Sequence, residues 1–167
     1  MTTNIILLSA VLVSGLLTVF ILNSIVNSRT KGKISENENP LSVDILKAVL
    51  FLCGGLLLNE VVNSFQTMTK VLPSSFTGND LLLKEIMFYS IFLGIVLLTL
   101  IAIIWLTAIM FGVTSKGKSI FIETANNNLN AVILCCGILL ALTLAAKAGL
   151  SPLFDQFIPY PTMPTYH

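Results

Sequence analysis

The stretch "LKAVLFLCGGLL", Leu46–Leu57, is written again as "LNAVILCCGILL", Leu129–Leu140. Seven of the twelve positions are identical at an offset of 83: Leu46/Leu129, Ala48/Ala131, Val49/Val132, Cys53/Cys136, Gly54/Gly137, Leu56/Leu139 and Leu57/Leu140. Each copy is an uninterrupted apolar run, and neither alternates as a half-buried strand does. The fold is read from what such runs require.

Four runs of this kind occupy the chain: Ile5–Val26, Ile45–Val62, Ile86–Val113 and Leu129–Ala146. They contain 22, 18, 28 and 18 residues, and crossing a bilayer core takes roughly 20 helical residues. The 167 residues are 55% hydrophobic and only 10% charged, far from the roughly 25% charge of a soluble domain. A soluble fold of this length has too little interior for so much apolar surface. The sequence therefore predicts an all-α membrane protein with four transmembrane helices. The first run opens with "MTTN", without the basic residues of a secretory signal, and is read as a retained helix.

The repeat reaches beyond the quoted helices. "TKGK" at Thr30–Lys33 returns as "SKGK" at Ser115–Lys118, and Phe20 and Trp105 each stand eleven residues ahead of the first lysine. The unit is helix, basic loop, helix, present twice as parallel copies over about 5–64 and 84–149. A two-helix unit returns the chain to its starting side, so both copies share one orientation, unlike inverted transporter repeats. The four-helix domain is expected over 1–150. Residues 151–167, "SPLFDQFIPYPTMPTYH", form a tail with four prolines and four aromatics, suited to lie along the outer membrane surface with the semi-apolar "VLPSSFTGND" loop.

Loop charge sets the expected orientation. Arg29, Lys31 and Lys33 in the first loop, with Lys116 and Lys118 in the third, outnumber Lys70 and Lys84 in the middle connection. Lys and Arg stay on the cytoplasmic side, which places the Lys-Gly-Lys loops inside and both termini outside. A net charge of +1 leaves no nucleic-acid footprint.

Three groups of residues are candidate sites. Glu60, next to Asn59, and Lys147 lie close to the outer ends of the second and fourth runs. By the duplication Lys147 matches Ser64, one turn beyond Glu60. Ionisable groups inside a bilayer need a partner or an aqueous path, so the two either form a pair, or a proton or cation site, or simply reach the headgroups. "ETANNNLN", Glu123–Asn130, opens the fourth helix with Asn126, Asn127, Asn128 and Asn130. Asn caps helix starts well, and the same cluster could hold a headgroup, an ion or a partner loop. Gly137, Ala141, Ala145 and Gly149 recur every four residues and form one stripe, suited to close helix packing or to lining a narrow pore. Cys53, Cys135 and Cys136 read as small packing residues.

The "NNNLNAVILCCGILLAL" stretch resembles the YjfL-like family of bacterial inner-membrane proteins, known as domain of unknown function three-hundred-and-fifty. That family looks like a tandem repeat of a two-helix unit, and Glu123, Asn128, Ala131 and Gly137 match its pattern here. Asn130 departs from it, and in the first copy only Ala48 and Gly54 fit, with Ile45 in place of the Asn. The resemblance implies a multi-pass protein of the bacterial inner membrane and no known activity.

The one histidine, His167, lies at the terminus, and no phosphate-binding loop, dinucleotide fingerprint or zinc-protease motif occurs. The sequence thus points to no catalysis and no cofactor. It favours a structural or accessory subunit that contacts the lipid bilayer and forms a homo-oligomer or part of a larger membrane complex. The alternative is a small ion channel or transporter with a polar site near Asn59, Glu60 and Lys147.

Overall fold

The computed structural model describes residues 2–31, 40–74 and 78–158. It contains α1 (Thr2–Thr30), α2 (Leu41–Val71), a 3-10 turn at Leu72–Ser74, α3 (Asn79–Thr114), the short α4 (Ile120–Ala125) and α5 (Leu129–Asp155). Helices α1, α2, α3 and α5 are long and apolar enough to cross a bilayer. The chain is an all-α, four-helix, multi-pass membrane protein.

Each helix starts and stops for a local reason. Pro40 caps α2 with extended backbone, and Asp44 in its first turn faces the positive end of the helix. Gly78 precedes α3 at φ 65°, a conformation that glycine adopts without Cβ strain. At the other end of α3, Lys116 and Gly117 take φ 54° and 83°, and the Gly117 amide donates to the Gly112 carbonyl at 2.8 Å. This is a Schellman-type closure, and it is the structural work of "SKGK". In the first copy Gly32 and Lys33 lie outside the described residues.

Helix α2 is the centre of the bundle and packs against α1, α3 and α5, while α3 also packs against α5. Alternate helices run parallel. Ser42 at the start of α2 bonds Thr124 and Asn127 ahead of α5, and Glu60 meets Lys147 further along both. Phe65 of α2 stands edge-on to Tyr89 of α3 at 5.0 Å, and Phe92 of α3 meets Phe154 of α5 at 4.7 Å. Both contacts join antiparallel neighbours. Any up-down four-helix chain shares these directions, so they do not by themselves reveal a duplication.

The helices exceed the apolar runs. Helix α2 continues eleven residues past Glu60, and α5 eight past Lys147. Asn63, Gln66, Thr67 and Lys70 lower the hydropathy of the last turns of α2 without ending the helix. Residues 151–155, read from sequence as tail, are the last turns of α5, and Pro152 lies inside them. Fully buried Phe154 anchors these turns. Most of the middle connection is helix as well, and of the expected outer lid residues 75–77 and 159–167 lie outside the described residues.

The buried faces do not repeat at the offset of the shared letters. Leu50, Cys53, Leu57, Val61 and Met68 are buried in α2, and Val132, Cys135, Leu139, Thr143 and Leu150 in α5. These sets match at an offset of 82, not 83. One residue is about 100° around a helix, so the identical letters, Cys53 and Cys136 apart, differ in burial between the copies. Gly54 is buried, and a methyl group added there would lie 3.1 Å from Thr18 Cγ2 and 3.2 Å from Leu22 Cδ1. Its counterpart Gly137 is exposed and has open space around it.

Gly54 thus sets the close approach of α1 to α2. Gly55, one residue on, faces open space. Both Gly→Ala changes gain the same intrinsic helix propensity of up to about 1 kcal/mol. Only Gly54→Ala must displace α1 side chains. Unfolding in mild detergent should therefore rank Gly55→Ala above Gly54→Ala by about 1 kcal/mol. Equal stability of the two variants would show that α1 does not press on α2 at this point.

Candidate functional site

Lys147 Nζ lies 3.5 Å from Glu60 Oε1. The Glu60 side chain is 10% exposed and that of Lys147 32%, so the carboxylate is enclosed while the ammonium keeps a path outward. Helices α2 and α5 bring them together because they run parallel and side by side.

Hydropathy puts the pair near two helix ends, but packing puts it deeper. Gly54 faces Thr18 and Leu22 of α1 and approaches Leu100 of α3. Six residues further along α2, antiparallel counting brings Glu60 to the level of Ser14 on α1 and Gly94 on α3. Phe65 opposite Tyr89 gives the same register on α3. Ser14 is near the middle of the apolar run Ile5–Val26, and Gly94 is eight residues inside Ile86–Val113, about 12 Å at 1.5 Å per residue. The last turns of α2 and α5 therefore lie beyond an ion pair that is inside the apolar layer.

Asn59 stands beside this pair on the exposed face of α2, followed on the same face by Asn63, Gln66, Thr67 and Lys70. Spacings of 4, 7, 8 and 11 place them in one strip running from the level of the pair to the helix end. Nothing in the sequence marks this strip, because each polar residue alone looks like an ordinary end-of-helix residue.

The asparagines divide their work. Asn128 caps α5, accepting the Ala131 amide at 3.3 Å, and its Nδ2 donates to Glu123. Asn127 takes φ 56°, which Asn tolerates better than most residues, and its Oδ1 accepts the Ser42 amide at 3.2 Å. The Ser42 hydroxyl donates to the Thr124 carbonyl. Asn126 ends α4 and Asn130 is exposed on α5. Glu123 belongs to α4 and not, as expected, to the start of α5; it also pairs with Lys118 at 3.2 Å. The cluster is thus a corner that fastens the starts of α2 and α5. Ser42 and Thr124, the buried half of that corner, carry no sequence signal that sets them apart from other hydroxyls.

The Asn128 hydrogen bond, then Lys118, holds the Glu123 carboxyl below its ordinary range. A carboxyl depressed in the folded state adds stability that is complete above its unfolded pKa, about 4.3, and is lost as pH falls through the lower folded value. Thermal unfolding followed from pH 7 to pH 3 should lose this part on the acid side, and Glu123→Gln should remove that slope. An unchanged acid limb in Glu123→Gln would show that the corner does not depend on the charge.

Gly137, Ala141, Ala145 and Gly149 are all exposed. Space is open above Gly137 and Gly149. The stripe points away from α2 and α3, and no described part of the chain covers it. Cys53, Cys135 and Cys136 are buried free thiols. Comparison with known protein families, curated proteins and solved structures finds no match.

Proposed function

We propose that the protein is a structural or accessory subunit of a membrane assembly, without catalysis of its own, joined to its partner through the outward face of α5. The observation that carries this reading is the exposed stripe Gly137, Ala141, Ala145 and Gly149. In lipid, helices associate by close packing and not by exclusion from water, and small residues permit the approach. Inside the chain Gly54 already does this for α1 and α2. The α5 stripe offers the same surface outward, to a second copy or to a larger complex. Purification in mild detergent followed by native mass spectrometry tests it. The expected mass exceeds one chain, and a bare 18.1 kDa chain from gently solubilised membranes would overturn it.

The same reading includes the bacterial inner membrane, suggested by the YjfL-like pattern, with the basic loops cytoplasmic. Arg29, Lys31, Lys116 and Lys118 share one end of the bundle and support this orientation. Cysteine placed at Lys31 or Lys116 should resist an impermeant maleimide in intact cells, while Asp80→Cys at the other end should label. The reverse pattern would invert the protein.

One observation favours a second reading, a small ion channel or transporter. The Glu60–Lys147 pair lies inside the apolar layer, and the polar strip from Asn59 leads away from its level. Ion flux through reconstituted liposomes that disappears in Glu60→Gln would support this reading over the first.

A further inference from the structure

Helices α1 and α3 meet at Ser14 and Tyr89. Ser14 Oγ and Tyr89 OH are 2.8 Å apart, and Ser14 donates to the Val11 carbonyl, so Tyr89 supplies the proton between them. Towards the basic loops a cleft of about 740 Å³ lies between the two helices. This is within the range of about 300–1,000 Å³ typical of small-molecule sites. Phe20, Ile25, Ile101, Trp105 and Phe121 wall it. Ser24 and Ser28 follow along α1, and Arg29 stands at the rim beside Lys31. Among the described residues Arg29 has no ion-pair partner.

We propose that this cleft binds one anionic phospholipid from the bilayer, an acyl chain against the apolar wall and the phosphate on Arg29. The cleft has the two chemistries of such a molecule: an apolar wall for a chain, and on its α1 side two hydroxyls and the guanidinium of Arg29, which stands in the last turn of α1 at the headgroup end. A guanidinium holds a phosphate by two parallel hydrogen bonds, which a lone ammonium cannot do. The cleft opens sideways between two membrane-spanning helices, so a lipid enters without leaving the bilayer. The basic neighbours favour a headgroup with net negative charge over a zwitterionic one.

The protein carries its own reporter, because Trp105 is the single tryptophan and lines the cleft. The full chain is reconstituted into phosphatidylcholine vesicles, and either brominated-chain phosphatidylglycerol or brominated-chain phosphatidylcholine is titrated in. Quenching of Trp105 by the anionic lipid should correspond to about fivefold enrichment over its mole fraction, the effect of roughly one added cation at the surface. Arg29→Gln should bring the two quenching curves together, whereas Lys31→Gln, off the cleft, should keep them apart. Ser24→Phe, at an exposed position that fills the cleft, should abolish the enrichment with Arg29 still present. Superimposed curves in the unaltered protein, as when a partner helix occupies the cleft, would overturn the proposal. So would equal losses in Arg29→Gln and Lys31→Gln, which mean diffuse surface attraction, or full enrichment in Ser24→Phe.

Discussion

Ala145→Leu should release the protein from its assembly and leave the fold of the single chain intact. Ala145 is exposed, so a larger side chain there meets nothing within its own bundle. It meets only a helix that approaches from outside. Overpacking a close helix contact costs about 1–3 kcal/mol, which weakens association from about fivefold to about a hundredfold. Ala141→Leu should do the same, and the two together more. Leu144→Phe is the matched control, since Leu144 is also exposed but stands beside the stripe. Leu140 is less suitable, because it is packed against the core and Leu140→Phe would strain the chain itself. Size-exclusion and thermal unfolding in the same detergent separate the outcomes. A drop in thermal stability without dissociation would place the stripe inside the chain's own packing. Equal dissociation in Leu144→Phe would remove any special role for the small residues.

The second large effect concerns Glu60 and Lys147. Glu60→Gln and Lys147→Met should each lower stability by roughly 2 kcal/mol, below the 3–5 kcal/mol of a fully buried pair because Lys147 is 32% exposed. Each single change leaves one charge without its partner at the level of Ser14. The double variant removes both and should recover much of the loss. The double-mutant cycle then yields a coupling of about 1–2 kcal/mol. A coupling near zero would mean that both side chains reach water independently and that the 3.5 Å contact contributes nothing.

How much of this was legible in the sequence varies by feature. The four helices were, because a bilayer demands long apolar runs and soluble folds do not tolerate them. Their ends were not. Asn63, Gln66 and Thr67 look like the margin of a membrane span, yet they sit on the outer face of a helix that runs on to Val71. Pro152 looks like a stop, yet the buried Phe154 holds the turn around it. The sequence offers Glu60 and Lys147 as a pair only beside the alternative that each reaches the headgroups; their contact needed the packing of α2 on α5, and their depth the register of α2 against α1 and α3. The stripe on α5 was legible as a period of four, but a period carries no direction. Only the packing of α5 against α2 and α3 turns it outward. The cleft between α1 and α3 depends on how the two helices are held against α2 and α4, and no local pattern encodes that.

Photocrosslinking from the α5 face tests the assembly most directly. Cys53, Cys135 and Cys136 are first replaced by alanine or serine, and single cysteines at Ala145 and at Val113 then carry a maleimide-linked benzophenone in native membranes. Val113 is 77% exposed on α3 and serves as the lipid-facing reference. Protein adducts are expected from Ala145, whether to a second copy or to another chain, and lipid adducts from Val113. Lipid adducts from both positions would contradict the proposed assembly.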